Sequence, residues 1–437
     1  MAKIFRILIQ MFLLVVTVSN GIGQQQTTKI VTSDIDHFWE AYDKITVSKD
    51  SLERIKLINE LYINRGSDGL KGLMAARDYK DYEYVEAILN YPKYWNSIRG
   101  NQQNMLKDAA VAEKYFQELK RKYPELKDAT VYIPIGVFRS GGTYMNGNVL
   151  IGGEYFLANE NAVIDELPER IQTAIKLSVP YNFPLTALHE LIHTQQKPWE
   201  NNTIVHICMA EGVAEFISTL IAKAPLSAPV KYGKENNEKV VKQFMKEVVR
   251  DSDVWNWVWN ANQNELGVRD LGYYIGYEIC EIYYNKATNK EQAIKDLIEL
   301  DYNDEVAFAK MLDESKFLPL TWAQIGEQYE AQRPTVVDLG DLENGAQNVP
   351  RAMKYLTIEF SDEMSDCCRN LDIDENFDGE ILRISKFLGR SDDKRKFNFE
   401  LEPLKPNTRY HLIVSGFAKE DGLNQSIPYR IEFKTGE

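Results

Sequence analysis

Residues 186–194 read TALHELIHT. This stretch places His189, Glu190 and His193 in the order His-Glu-x-x-His, within a segment whose apolar spacing favours a helix. Side chains four residues apart share one face of a helix, so both imidazoles can reach one zinc ion while the glutamate beside them acts as a general base. The stretch therefore predicts a helix that carries metal chemistry.

Residues 204–222 predict a second helix, which carries two acids among apolar neighbours, Glu211 and Glu215. A carboxylate surrounded by apolar side chains needs a metal ion or a polar partner, and a catalytic zinc needs a third protein ligand. We therefore expect Glu211 to be that ligand. Glu215, one turn later, is expected to accept a hydrogen bond from the far nitrogen of His189 or His193.

The combined pattern of the two helices resembles the gluzincin branch of zinc metallopeptidases, which includes thermolysin and the large aminopeptidases. The matching residues are His189, Glu190 and His193 and, after 17 intervening residues, Glu211, Gly212, Ala214 and Glu215. The resemblance spans residues 131–284, and its sharp motifs lie in the middle of that range. It implies that His189, His193 and Glu211 bind Zn²⁺, that Glu190 is the base, and that Glu215 supports a ligand.

A tyrosine in a later helical segment is the candidate donor to the oxyanion of the reaction. Tyr273-x-x-Gly276 is similar to the tyrosine segment of gluzincin aminopeptidases, and this resemblance favours Tyr273 over the alternatives Tyr274 and Tyr277. The role is chemically reasonable because peptide hydrolysis builds negative charge on the former carbonyl oxygen. Abundant tyrosines at helical spacing leave simple packing as the other interpretation.

A strand predicted near residues 148–153 precedes the first zinc helix, where such enzymes usually keep an edge strand that pairs with extended substrate. An ordinary hairpin is the alternative interpretation. The chain departs from the family in two motifs. It has neither the Gly-x-Met-Glu-Asn motif with which aminopeptidases of this branch hold a free N-terminus nor thermolysin's Asn-Ala-Phe-Trp strand. The resemblance therefore does not extend to exopeptidase specificity.

The pattern along the chain predicts an α+β fold. Several packed helices are expected over residues 33–124, then a strand, a Gly141-Gly142 turn and a second strand within residues 129–153, and helices again over residues 183–328. With the resemblance described above, these elements are expected to form a mainly helical zincin-type metallopeptidase domain with a small β-sheet, residues 24–332.

Short β-rich runs separated by turns predict an all-β sandwich over residues 333–437. The segment resembles the bacterial Ig-like domains of surface and secreted proteins, in the run 356–364 and in the closing strand at Tyr429. A glycan or a protein is the expected partner of such a domain, and contact with only its neighbouring domain is the alternative. The acids of residues 372–375 lack the glycine and terminal glutamate of a calcium loop, so a solvated loop is expected there.

The N-terminus has the pattern of a signal peptide over residues 1–23, because Lys3 and Arg6 precede an apolar run, residues 7–18, and then small polar residues. The run is short for a membrane-spanning helix, although an uncleaved anchor is the alternative. We therefore expect an exported protein, periplasmic, cell-surface or secreted, with no membrane insertion after signal removal. In such an exported protein, Cys208 and Cys280 could form a disulfide bond or remain buried free thiols.

Composition narrows the classes of partner. The chain has 437 residues, of which 44% are hydrophobic and 27% charged, so it is long enough for two or three globular domains. The net charge of −14 would repel nucleic-acid phosphates, which makes nucleic acid an unsuitable partner.

The expected function is an exported zinc-dependent peptidase that acts on a peptide or protein substrate. Two alternatives stay open. One is a non-catalytic surface binding or adhesion protein with a relic zinc site, and the other is a zinc hydrolase of another amide, such as a cell-wall peptide.

His206 is expected to be structural, because it lies five residues before Glu211 and so points away from the helix face that carries Glu211.

Overall fold

The computed structural model describes residues 28–178, 183–200, 203–249, 254–259, 265–366, 368–419 and 425–437. Within these residues the protein has an α+β fold in which about half of the chain is helical. Helices dominate the N-terminal part, and mostly antiparallel sheets form the C-terminal part. This agrees with the predicted α+β class. The expected signal peptide, residues 1–23, lies outside the described residues.

The described N-terminal part starts with a short strand and a group of helices, as the sequence predicts for residues 33–124. These elements are β1 (Lys29–Val31), α1 (Ser33–Val47), α2 (Ser51–Ile58), a π-helical turn (Asn59–Ile63), α3 (Asp68–Arg77), α4 (Asp81–Asn90), α5 (Pro92–Arg99) and α6 (Gln102–Lys122). Aromatic side chains fill the space between them. The rings of Tyr62 and Trp95 both contact Phe38, and all three residues are fully buried.

A four-stranded sheet follows, built by β1 with β2 (Thr130–Tyr132), β3 (Gly142–Met145) and β4 (Asn148–Ile151) in the order β1-β2-β4-β3. β2 is parallel to both β1 and β4, and β3 is antiparallel to β4. β3 is therefore an edge strand, and β4 is an inner strand.

The predicted turn at Gly141-Gly142 is wrong. The chain reverses at Asn146 and Gly147, whose φ angles are 50° and 74°, and Met145 pairs with Asn148 across the turn. An Asn-Gly pair with two positive φ angles is the preferred two-residue hairpin connection, because its twist matches that of the strands. The segment after Gly141 is thus β3 itself.

The middle of the chain is helical again, as predicted. The helices are α7 (Gly153–Phe156), α8 (Glu169–Ser178), α9 (Phe183–His193), α10 (Ile204–Ala222), α11 (Ala228–Glu235), α12 (Asn237–Glu247), α13 (Val254–Trp257), α14 (Leu271–Lys286), α15 (Lys290–Ile298), α16 (Glu305–Ser315) and α17 (Trp322–Gln332). α10 has the bounds predicted from its sequence. It is the one described helix that is long and apolar enough to cross a membrane, and 94% of its apolar window is buried inside the protein.

α10 and α14 pack at backbone contact. A Cβ atom added to Gly212 of α10 would lie 2.2 Å from the Gly276 backbone of α14, and one added to Gly276 would lie 1.9 Å from the carbonyl oxygen of Cys208. Cys208 and Cys280 are free buried thiols, so the disulfide considered between them is absent. Glycine at both positions lets the two helices approach at the level of Glu211.

The C-terminal part contains two sheets. The first has the order β5-β6-β10-β9, and the second has the order β12-β11-β7 with β8 paired in parallel to β11. Their strands are β5 (Val336–Asp338), β6 (Tyr355–Phe360), β7 (Asn370–Asp372), β8 (Glu380–Ile381), β9 (Ile384–Arg390), β10 (Lys396–Leu401), β11 (Arg409–Ser415) and β12 (Tyr429–Lys434).

Both C-terminal sheets contribute to one hydrophobic cluster, which is separate from the large cluster of the helical part. Strand β6 shows why: Leu356, Ile358 and Phe360 are fully buried while the residues between them are more exposed. Alternation of this kind directs one face of a strand into a core.

We expect Gly212→Ala to lower the free energy of unfolding by about 3 kcal/mol, because the added methyl group would overlap the α14 backbone. The matched control is Gly326→Ala in α17, where an added Cβ meets no atom within 4 Å. That control should raise stability by about 1 kcal/mol through helix propensity. Urea unfolding of both variants measures the difference. Equal stability of the two variants would contradict the close packing of α10 and α14.

Candidate functional site

Two neighbouring helices place three ligand-type atoms at one point. His189 and His193 lie on the same face of α9, and Glu211 lies on the facing side of α10. The Nε2 atoms of the two histidines are 3.1 Å apart, and the Glu211 Oε2 atom is 3.2 Å from His189 Nε2 and 3.3 Å from His193 Nε2. The structure thus brings together the three residues that the sequence predicted as metal ligands.

The other ring nitrogen of each histidine faces an acceptor. His193 Nδ1 is 2.7 Å from the Gln196 side-chain oxygen, and the amide nitrogen of Gln196 donates to the Ala210 carbonyl at 2.8 Å, which fixes the orientation of the amide. His189 Nδ1 is 3.6 Å from Glu215 Oε2. Protons held on both Nδ1 atoms leave both Nε2 lone pairs directed at Glu211.

Trp259 orients the carboxylate of Glu211. Its indole N–H donates to Glu211 Oε1 at 3.1 Å, while the other carboxylate oxygen, Oε2, faces the two imidazoles. The Trp259 backbone has a φ of 59°, a left-handed conformation that bulky residues rarely adopt. Its ring stays 49% exposed and contacts the ring of Trp255. One Glu211 oxygen is therefore occupied by Trp259, and the other points into the cluster.

The charges of the cluster are strongly coupled. Burial raises the pKa of Glu211, but the neighbouring His193 and His189 rings hold it well below its usual range. Burial lowers the pKa of His189, but hydrogen bonds to Glu211 and Glu215 outweigh this effect and raise it to about 10. Two imidazoles and a carboxylate this close together attract a cation, which can be a proton or a metal ion.

The donor set fits zinc. Two neutral imidazole nitrogens and one carboxylate oxygen are a known catalytic combination for this ion, and ligands of a tetrahedral zinc with bonds of about 2.0 Å lie about 3.3 Å apart. The observed separations of 3.1, 3.2 and 3.3 Å agree with that spacing. His189, His193 and Glu211 could therefore hold Zn²⁺ with little rearrangement.

Glu190 lies beside the cluster, under the edge strand of the sheet. A Cβ atom added to Gly142, the first residue of β3, would lie 2.6 Å from Glu190 Oε1, so the strand backbone rests on this side chain. Burial raises the pKa of Glu190 above its ordinary value, and the two histidines oppose the increase. Both Glu190 and His189 line a pocket of about 360 Å³.

The three candidate tyrosines of α14 have different surroundings. The Tyr273 ring stacks on the His189 ring, with centroids 6.0 Å apart, and Tyr273 lines the same pocket as Glu190. Burial raises the pKa of Tyr273 well above its usual value, and the negative charge of Glu211 adds to this increase. The Tyr274 hydroxyl instead donates to Asn237 at 2.8 Å, and the Tyr277 hydroxyl lies 3.5 Å from Glu281.

The strand beside the site is β3, and the prediction that placed the edge strand at residues 148–153 is wrong. Residues 148–151 form β4, which β2 and β3 flank on both sides. The error follows from missing the Asn146-Gly147 hairpin, which puts the preceding segment at the edge. Tyr144 of β3 stacks on His193 with ring centroids 5.6 Å apart, and it is 42% exposed.

A buried acid outside the cluster holds the loop that leads into β3. Glu154 is fully buried, and its two carboxylate oxygens accept hydrogen bonds from the backbone N–H groups of Gly136 at 2.7 Å and Phe138 at 3.0 Å. Burial raises the pKa of Glu154 to about 7. This acid anchors the chain a few residues before Gly142, which packs on Glu190.

Several site residues were not predicted from the sequence. Gln196 could have been found, since it follows His193 by three residues and so faces the same side of the chain. Tyr144, Trp259 and Arg269 lie in segments with no motif, and only their positions in the fold bring them to the site. His206, expected to be structural, is buried and stacks on Phe308 with ring centroids 4.1 Å apart.

Comparison with known proteins identifies no family for this chain. No family model matches it, and no curated protein matches it. Among solved structures, the N-terminal part of the bacterial S-layer protein SbsC aligns with 92% of this chain and 77% of its own, at 12% sequence identity and a TM-score of 0.17. A similarity at that level supports no conclusion about fold or function.

We expect Glu154 to make stability depend on pH. Its pKa of about 7 in the fold exceeds the value of about 4.3 in an unfolded chain, so the folded state binds more protons between these values. Its contribution is fully favourable below about pH 4 and falls by about 4 kcal/mol in total as pH rises through 7.

Urea unfolding of the parent and of Glu154→Gln at pH 5, 6, 7 and 8 measures this effect. The neutral amide cannot titrate, so the stability of the parent relative to the variant should decrease from pH 5 to pH 7 and level off towards pH 8. A difference that stays constant from pH 5 to 8 would show that Glu154 has an ordinary pKa.

Proposed function

We propose that this protein is an exported zinc-dependent peptidase of the gluzincin type. The observation that carries the proposal is the convergence of His189 Nε2, His193 Nε2 and Glu211 Oε2 within 3.3 Å of one another, beside the half-buried carboxylate of Glu190. A zincin-type domain is the fold that this arrangement favours within the α+β architecture.

The chemistry divides between the ion and the protein. Zinc, when bound by His189, His193 and Glu211, supplies a Lewis acid that polarises a carbonyl group and lowers the pKa of water. Glu190 takes a proton from the water that attacks the carbonyl carbon, and it delivers that proton to the nitrogen as the C–N bond breaks. Its position against β3 and the raised pKa that burial gives it suit a group that accepts and then releases a proton.

Tyr273 is the proposed donor to the developing oxyanion. Its ring stacks on His189 and its hydroxyl stays protonated, because burial and the Glu211 carboxylate raise its pKa. A neutral hydroxyl beside the pocket can donate a hydrogen bond to an oxygen that gains negative charge.

β3 offers the place for an extended substrate. Its outer edge is not paired to another described strand, and Gly142 brings its backbone against Glu190. A peptide that adds to this edge as a further strand would present a carbonyl group next to the base. Tyr144, stacked on His193, would border the bound chain.

Export and partners form part of the same proposal. The pattern of residues 1–23 supports a signal peptide, and the net charge of −14 disfavours nucleic acid. The C-terminal part, proposed as an Ig-like sandwich, would bind a glycan or a protein partner. The substrate is a peptide or protein chain.

The first test is elemental analysis of zinc in purified, unchelated protein. We expect about one zinc per chain in the parent and in Glu190→Gln, because Glu190 is not a ligand, and none in the double variant His189→Ala, Glu211→Ala. A panel of quenched fluorescent peptides and muropeptides then measures turnover, which Glu190→Gln should reduce by at least about a thousandfold.

Each outcome separates the alternatives. A folded parent that stays free of zinc after the metal is added would favour the binding-protein interpretation. Zinc binding with cleavage of muropeptides alone would identify a cell-wall hydrolase. Full turnover by Glu190→Gln would remove Glu190 from its role as the base.

We expect Trp259→Phe to weaken zinc binding about tenfold, because the variant keeps an aromatic ring but loses the N–H that orients Glu211. Competition with a chromophoric chelator measures the zinc Kd. The control is Trp255→Phe, which alters the exposed neighbouring ring and leaves the hydrogen bond to Glu211 intact. Equal zinc affinity in the two variants would refute the orienting role of Trp259.

A further inference from the structure

The pocket beside Glu190 extends to residues at the starts of α11 and α14 that have no role in the catalytic proposal. Besides His189, Glu190 and Tyr273, it is lined by Ser227, Ala228 and Pro229, where α11 begins, and by Arg269 and Asp270, just before α14. Its volume of about 360 Å³ suits one side chain or the end of a peptide.

Arg269 is the one arginine among the described residues that line this pocket, and none of them is a lysine. Its Nε donates to Asp270 Oδ2 at 2.5 Å, and no other hydrogen bond of its guanidinium to a described residue is found. The two Nη groups therefore remain as donors, in the forked arrangement that matches the two oxygens of a carboxylate.

Ser227 adds a second, independent indication. It is only 8% exposed, and its Oγ atom has no hydrogen-bond partner among the described residues. Ser227 is the residue before α11, yet its side chain makes no capping bond to the helix. A buried hydroxyl without a partner is unfavourable unless a ligand satisfies it, and a helix N-terminus favours a negatively charged group.

The acids of the pocket have other partners or other roles. Glu215 lies against His189 Nδ1, Glu190 is the proposed base, and Asp270 accepts from Arg269 through Oδ2. The Oδ1 atom of Asp270 is buried without a hydrogen-bond partner among the described residues. This oxygen can accept a hydrogen bond from an amide N–H group, which a carboxylate lacks. A glutamine side chain is therefore the closest competitor of a glutamate side chain for this pocket.

We infer that this pocket binds a carboxylate of the substrate, held by Arg269 with Ser227 and the start of α11. The inference rests on the proposed peptidase function and specifies its substrate class. The carboxylate could belong to an acidic side chain or to the C-terminus of a peptide, and both present the same two oxygens. Recognition by Arg269 would place a neighbouring peptide bond at Glu190, because one pocket contains both residues.

The test is isothermal titration of zinc-loaded Glu190→Gln protein, which binds substrate without turnover. Acetyl-Ala-Ala-Glu-Ala-amide is compared with the Gln peptide of the same length, and acetyl-Ala-Ala-Ala with its C-terminal amide. The carboxylate member of at least one pair should bind ten times more tightly or better. The first pair reports an acidic side chain, and the second reports a C-terminal carboxylate.

Second substitutions in the same background identify the group responsible. Arg269→Gln should bring the preference for carboxylate close to one, and Ser227→Ala should reduce it severalfold without disturbing the Arg269–Asp270 pair. Lys231→Gln is the control, because it removes an exposed positive charge from α11 and should leave the preference intact. Circular dichroism and thermal unfolding confirm that each variant is folded.

Two outcomes would overturn the inference. One is equal binding of acid and amide in both pairs. The other is a preference for carboxylate that survives Arg269→Gln, because the zinc ion and not Arg269 would then bind the carboxylate.

A failure of the proposed peptidase function would give a different pattern of results. A parent that cleaves no peptide but keeps an Arg269-dependent preference would retain the carboxylate pocket and lose the reaction. Where the chain binds no zinc, the same titrations of the metal-free protein measure the preference.

Discussion

The contact between the backbones of α10 and α14 at Gly212 and Gly276 is the constraint on which the site depends. Each glycine directs its missing side chain at the other helix, at distances of about 2 Å where no Cβ atom fits. Because Gly212 follows Glu211 directly and Tyr273 lies one turn before Gly276, this contact places the carboxylate and the tyrosine on the same side of the cluster. The absence of side chains at these two glycines thus lets the helices approach closely enough to form a polar site in an apolar core.

That core makes the cluster sensitive to charge. Glu211 is 7% exposed, and a lone carboxylate there would be very costly, so it depends on positive charge from its neighbours. Its two oxygens have different partners, since Trp259 donates to Oε1 and the two imidazoles face Oε2. On the far sides of the rings, the Gln196 oxygen lies at hydrogen-bond distance from His193 Nδ1 and the Glu215 carboxylate faces His189 Nδ1 at 3.6 Å, so both Nε2 atoms are directed inward. A cation would complete this arrangement, and the spacing of the three atoms suits the proposed zinc better than a proton, which can bridge only two of them at a time.

Local patterns in the sequence predicted the two helices that carry the proposed metal site. α10 has the expected bounds, and the pairing of His189 and His193 follows from helix geometry alone. The sheet was less predictable. Its strands are short, and β1 lies about a hundred residues before its partner β2, so no local pattern could join them. The Asn146-Gly147 hairpin signal is present in the sequence, but the glycine pair at 141 and 142 competes with it, and a turn at that pair assigns the edge strand to β4 instead of β3.

Trp259, Arg269 and Ser227 could not be predicted, for a physical reason. The two histidines proposed as ligands share one face of α9, so their spacing is fixed by the helical repeat and is visible in the sequence. Residues that border the site need only reach it. Here Trp259 donates to Glu211 from a segment without a motif, and Ser227 and Arg269 line the pocket from the starts of α11 and α14. Asp270 shows the difference: it adopts a left-handed φ of 61° just before α14, a local feature of the turn that presents Arg269 to the pocket. The motif in the sequence therefore carries the proposed type of reaction, whereas the proposed choice of substrate depends on residues that only the three-dimensional arrangement brings together.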